Sequence, residues 1–149
     1  MKVSEAMSRD VRVAAPEHTL QQVAQAMAEL DAGAMPVGEN DRLVGMITDR
    51  DMVIRGIAQG KGPEGKVRDV MTADVKYCFD DQDVEEVARN MGEIQIRRLP
   101  VVNREKRLVG IVSLGDIART HEDEEAGEAL SGISRPGGEH SQSLDRNRK

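Results

Sequence analysis

The sequence predicts an α/β (α+β) fold made of two copies of one β-α-β-β-α unit, and three observations lead there. The first is duplication. Val3, Met7 and Val11 recur as Val67, Met71 and Val75, and Val23, Ala24 and Met27 as Val87, Ala88 and Met91, all at an offset of 64. Pro36-Val37 recurs as Pro100-Val101. One inserted residue then makes the offset 65, so that Arg42-Leu43-Val44-Gly45 matches Arg107-Leu108-Val109-Gly110, and Thr48 and Asp51 match Ser113 and Asp116. The second is a change of period within each copy, from apolar residues at helical spacing to short apolar strands. The third is length: 149 residues suit one domain, whereas a unit of about 60 residues covers its own apolar face poorly. Two halves packed about a pseudo-twofold axis are therefore expected, with function sought in the cleft between them.

Each copy opens on a short amphipathic turn, Val3 to Ser8 and Val67 to Thr72, followed by an alternating strand, Val11 to Ala14 and Val75 to Cys78. Thr19-x-x-Gln22 and Asp83-x-x-Glu86 then precede apolar residues at helical spacing. A polar cap residue with Gln or Glu three positions on satisfies free backbone donors, so each marks a helix start. Two strands follow, Met35 to Gly38 and Leu43 to Ile47, joined by Glu39-Asn40-Asp41; their counterparts are Leu99 to Val102 and Leu108 to Val112. A second helix closes each unit, from Asp49 to about Ala58 and from Leu114 to about Thr120. The divisions are 1–60 for the first copy, 61–66 for a linker in the Gly60-to-Gly65 run, and 67–122 for the second copy. From 123 to 149 the chain is polar, with Leu130, Ile133 and Leu144 as its larger apolar residues, which predicts a disordered tail.

Composition removes several classes of function. Aromatic residues make up 1% of the chain and the net charge is -6, which disfavours both base stacking and phosphate-backbone binding, so no nucleic acid partner is expected. Cys78 is the single cysteine, so no disulfide can form within the chain, and a small core residue is its simplest role. No signal peptide and no apolar run near the ~20 residues of a membrane span are seen, so no membrane association and a cytoplasmic location are expected. No nucleophile-His-acid set, no metal-spaced Cys/His cluster and no Gly-rich phosphate loop is present. Neither catalytic nor metal-ligating residues are assigned, with His18, His121 and His140 lacking partners at ligand spacing.

The residues with chemistry to offer are Thr48-x-x-Asp51 and Ser113-x-x-Asp116, each a hydroxyl at a strand end and a carboxylate one turn into the next helix. One reading is helix capping. The other is that the carboxylate accepts two ribose hydroxyls while the hydroxyl and nearby amides hold phosphate. A further asymmetry stands just before the two Pro-Val strands: Arg97-Arg98 in the second copy, Gly33-Ala34 in the first. Paired guanidinium groups suit a phosphate.

The repeated block, with its Met-Ser/Thr opening, Leu/Met-Pro-Val strand, Leu-Val-Gly strand and Thr/Ser-x-x-Asp, resembles the cystathionine beta-synthase (CBS) domain pair, or Bateman module, from about Lys2 to Thr120. That resemblance implies two repeats packed sheet to sheet, a disc-shaped homodimer, and two clefts for adenosine compounds. It would place Thr48 and Asp51 with Lys76, Tyr77, Arg97 and Arg98 in one cleft, and Ser113 and Asp116 with Val11, Arg12, Gly33 and Ala34 in the other. The function so implied is a stand-alone regulatory module that needs no cofactor, senses AMP, ADP or ATP (or NAD or S-adenosylmethionine), and acts on an unknown target protein. The alternatives are a ligand-free interaction module and a detached piece similar to the module of IMP dehydrogenase.

Overall fold

In the computed structural model, residues 1–120 and 123–136 are described, and they fall into two compact units. One contains Met1–Val11, Tyr77–Glu105 and the chain from Val109; the other contains Arg12–Lys76 with Lys106–Leu108. The opening turn of each sequence copy thus lies in the unit built mainly from the other copy.

In the unit around Arg12–Lys76, helix α2 (Leu20–Leu30) begins as its sequence predicts: the Thr19 hydroxyl accepts from the Gln22 amide, and the Gln22 side chain accepts from the Thr19 amide. It ends at Asp31, in left-handed conformation. Strands β1 (Ala34–Glu39) and β2 (Arg42–Thr48) pair antiparallel, with a register shift at Val37/Gly38. Single bridges extend this ladder on both sides, Ala14 to Val37 and Thr72 to Met46. Leu20, Val23, Met27, Met35, Val37 and Ile47 form the core together with Val67 and Val70 of the second copy's opening turn.

The other unit repeats the plan. The opening helix α1 (Val3–Ala6) sends Val3 and Met7 into a core with Val84, Val87, Met91, Leu99, Val101, Val112 and Ile117. Strand β3 (Cys78–Phe79) pairs parallel with β4 (Arg98–Val102), β4 neighbours β5 (Leu108–Ser113), and Ser8 bridges Ile111 on the outer edge of β5. Helix α4 (Val84–Ile94) buries its apolar stripe beneath this sheet. The cores are assembled from Val, Ile, Leu, Met and Ala, with Cys78 in one of them, and the larger members contribute about 1.5–3 kcal/mol apiece on burial.

Four expectations need correction. The first strand of each copy is shorter than its alternation predicts: Ala14 alone pairs in one, and only Cys78–Phe79 in the other. The cause is a missing donor. Ala14 donates to the Pro36 carbonyl and accepts from Gly38, so extension of this parallel ladder toward Arg12 would require an N–H from Pro36, which has none; Pro100 stands in the matching place beside Cys78. Asp83, expected as a side-chain cap, makes no cap bond and instead pairs with Lys2 at 3.4 Å. The second helix of the first copy is wound unevenly: α3 (Asp49–Asp51) is α-helical, Met52–Gly56 is π-helical and Ile57–Gln59 is a 3-10 turn.

The fourth correction concerns the segment from 123. It forms helix α6 (Asp123–Ile133), packed on α4 and on α5 (Leu114–Arg119). Its contact face is made of small residues, Ala126, Ala129 and Gly132, at three-residue spacing. A Cβ on Gly132 would lie 2.5 Å from the Gly92 carbonyl oxygen. Gln95 Nε2 donates to the carbonyls of Gly132 (3.1 Å) and Arg135 (3.0 Å), closing the C-terminal end. A polar composition therefore concealed a helix held by close backbone approach. Residues 137–149, the remainder of the expected tail, and His121 and His140 lie outside the described residues.

Candidate functional site

The two hydroxyl-to-carboxylate motifs form matching geometry, one in each unit. Thr48 ends β2 in extended conformation; its Oγ1 accepts from the Asp51 amide at 3.0 Å, and Asp51 Oδ2 accepts from the Thr48 amide at 3.1 Å. Ser113 ends β5 in the same way, with distances of 3.0 Å and 2.9 Å to Asp116. The capping role is therefore real in both copies. It consumes only one carboxylate oxygen of each aspartate.

What happens to the other oxygen differs. Asp51 is half-buried, and its Oδ1 meets no donor among the described residues. Asp116 is 5% exposed, the buried charged residue of the described core, and its Oδ1 accepts from Arg119 Nη2. Arg119 lies one turn on, at the i+3 position where helical ion pairs form. The first copy has Ile54 there, 47% exposed. Sequence inspection singled out the aspartates but not Arg119, although its spacing was legible.

Around Thr48 and Asp51 the structure gathers Gly33 and Ala34. Ala34 pairs with Thr48 across β1 and β2, and the Gly33 carbonyl accepts from the Asp49 amide at 2.9 Å. A side chain at 33 would meet the Asp49 carboxylate, with a Cβ only 2.9 Å from Oδ2. Arg12 in this unit pairs with Glu29 at 2.9 Å, and Lys76 is exposed. Arg55 donates to the Met71 carbonyl at 3.2 Å.

Near Ser113 and Asp116 the matching backbone bond runs from the Leu114 amide to the Arg97 carbonyl, 2.9 Å. Arg97 and Arg98 are exposed and make no side-chain hydrogen bond or ion pair among the described residues. Tyr77, 41% exposed, stands edge-on to Phe79 with ring centroids 5.7 Å apart; Val11 is half-buried. Beyond Phe79, Arg104 lies 4.1 Å over the ring and grips Asp81 through Nε (2.8 Å) and Nη2 (2.7 Å), which holds the Asp81 carboxyl below its ordinary value. Cys78 is buried; loss of water, reinforced by the Asp80 charge, pushes its thiol up to about 12. No group of three or more His, Cys, Asp or Glu among the described residues could hold a metal ion. None of the described helices is long and apolar enough to cross a membrane.

A small α+β unit used twice, each copy ending a strand in a hydroxyl-carboxylate cap at the start of a short helix, defines the class as a duplicated-repeat module. The CBS domain family model matches residues 3–55 and 67–123. The chain belongs to the CBS domain family, as a tandem pair. It is 39% identical over 133 residues to the CBS domain-containing protein YhcV of Bacillus subtilis, covering 89% of this chain and 94% of that protein. Among solved structures it is similar to Hypoxic Response Protein I with two coordinated zinc ions (39% identity, TM-score 0.73, 80% of this chain and 98% of that one). It is also similar to the CBS domain pair of protein MJ0100 in complex with 5'-methylthioadenosine and S-adenosyl-L-methionine (26% identity, TM-score 0.72, 83% and 98%).

Proposed function

We propose that this tandem pair is a regulatory, non-catalytic module that binds an adenosine-containing ligand. AMP, ADP or ATP comes first, with NAD and S-adenosylmethionine as further members of the class, and occupancy is signalled to a target protein. The observation that carries the reading is the spare carboxylate oxygen of Asp51. The cap occupies Oδ2 only, so Oδ1 is left to accept a ribose hydroxyl beside the Thr48 strand end. Asp116 with Ser113 repeats the cap, its Oδ1 meeting Arg119 Nη2. Arg97 and Arg98, exposed and without a side-chain partner among the described residues, are assigned to phosphate. Gly33 and Ala34, with Val11 and Arg12, leave space for the nucleoside, and Lys76 and Tyr77 complete the residue set. The adenosine ligands of the MJ0100 domain pair support the class of ligand.

Val53, Ile54 and Ile57, at 52%, 47% and 70% exposure, present apolar surface on the winding after Asp51. We assign that surface to a homodimer interface, and sedimentation at micromolar concentration is its direct measurement.

Calorimetry with AMP, ADP, ATP, NAD, S-adenosylmethionine and 5'-methylthioadenosine tests the ligand. Binding of at least one is expected, weakened about 10- to 150-fold by Asp51→Ala, in line with a hydrogen bond to a charged group worth about 1.5–3 kcal/mol. A ligand at 100 times its Kd should add about 2.7 kcal/mol of stability. If none of the six binds at millimolar concentration, the ligand-free interaction module replaces this reading.

A further inference from the structure

We propose that Arg119 is a selectivity residue: it makes the Asp116 motif favour ligands that carry an anion and disfavour neutral nucleosides, through a contact to the carboxylate that the Asp51 motif lacks. The inference rests on the ribose-binding reading of the two aspartates given above.

Asp116 Oδ2 is committed to the Ser113 amide at 2.9 Å, so a ribose hydroxyl must use Oδ1. That oxygen is held by Arg119 Nη2. The carboxylate is buried, 6% exposed as a side chain, but the guanidinium is 73% exposed. An ion pair with one member in water is screened and easily opened, and Arg119 can swing out without leaving a buried charge of its own. An incoming ribose therefore displaces Arg119 at small cost. A neutral nucleoside recovers nothing for that displacement. A ligand with a phosphate recovers it, because the released guanidinium remains tethered one turn from Asp116 and offers several N–H donors to the anion. At the Asp51 motif the corresponding residue is Ile54, so Oδ1 is open to either ligand at no such cost.

The experiment uses the full chain in an Asp51→Ala background, which leaves the Asp116 motif alone, and compares adenosine with AMP by calorimetry, with and without Arg119→Ala. Asp51→Asn serves as a second background should the Ala variant be poorly folded. Removing Arg119 is expected to tighten adenosine about two- to fivefold, the factor that an ion pair with its cation in water commands, and to weaken AMP by at least a similar factor. Arg119→Lys should retain the preference for AMP. Adenosine binding that is unchanged or weaker without Arg119 overturns the proposal while leaving the ribose reading intact. Failure of AMP and adenosine to bind the unmodified chain, or undiminished binding in the Asp51→Ala, Asp116→Ala double variant, overturns the ribose reading and this inference with it.

Discussion

Gly132 of α6 lies so close to Gly92 of α4 that a Cβ placed on it would stand 2.7 Å from the Gly92 Cα and 2.5 Å from its carbonyl oxygen. The two helices meet backbone to backbone, and Ala129, fully buried, extends the same face. Gly132→Ala should thus destabilise the protein by about 1–3 kcal/mol through overpacking, even though Ala is the better helix former. Gly127 of the same helix is exposed, with open space around it, so Gly127→Ala should stabilise by about 0.5–1 kcal/mol. Urea unfolding of the two variants gives shifts of opposite sign if α6 docks as described, and of the same sign if it does not.

A second pair of glycines records the strand edges. A Cβ on Gly45 would lie 2.9 Å from the Thr72 carbonyl oxygen, and one on Gly110 would lie 2.7 Å from that of Ser8, each beside a methionine sulfur at 2.7 Å. Met71 and Met7 can adjust, but the backbone oxygens belong to bridges that would have to open. Gly45→Ala and Gly110→Ala should each cost about 1–3 kcal/mol, measured by thermal unfolding. A neutral result at either position would show that its bridge is not formed.

Cys78 should resist alkylation in the folded protein and react once the chain is unfolded, since only the thiolate attacks and the native thiol titrates near 12. The linkage sign follows from that elevation. The native state keeps its proton where the unfolded thiol, near 9.0, has lost it, so the thiol's contribution is complete below the unfolded value and declines as pH rises from there toward 12. Labelling at equal rates in native and denatured protein would contradict the buried placement.

Arg104→Ala should raise the titration midpoint of Asp81 back to the ordinary carboxylate range, followed by NMR, because the Arg104 hydrogen bonds are the leading cause of its depression. Since the native carboxyl is the stronger acid, the pair supports folding above the unfolded midpoint and stops doing so as pH falls through the native one. Both side chains are exposed, so the effect on stability should be small at any pH.

Periodicity and capping chemistry made much of this fold readable in advance. Thr19 with Gln22 marks the start of α2 correctly, and the strand pairs around Pro36 and Pro100 fall where alternating apolar residues place them. Local pattern failed where a partner's chemistry decided the outcome. Val11-Arg12-Val13 reads as a strand, yet Pro36 cannot supply the next rung. Ala126, Ala129 and Gly132 carry too little apolar area to register as a buried face, because that face is defined by how near a second glycine comes. At the candidate site, the hydroxyl and carboxylate pairs announced themselves by spacing, whereas the difference between Asp51 and Asp116 depended on which rotamer Arg119 adopts, and a spacing of three residues permits that contact without requiring it.

The bridge between Ser8 and Ile111 sets a timetable for the chain's birth on the ribosome. The segment Met1–Val11 emerges before its seat on β5, which is synthesised about 100 residues later, so it must wait, with Val3 and Met7 uncovered, until the second copy is nearly complete. The unit around Arg12–Lys76 draws most of its residues from one continuous stretch and faces a much shorter delay. A nascent chain halted at Gly65 would carry Met1–Val11 unseated, and chaperones that read exposed apolar segments should find it there. Met1–Val11, made well before its partners, is among the last segments to be housed.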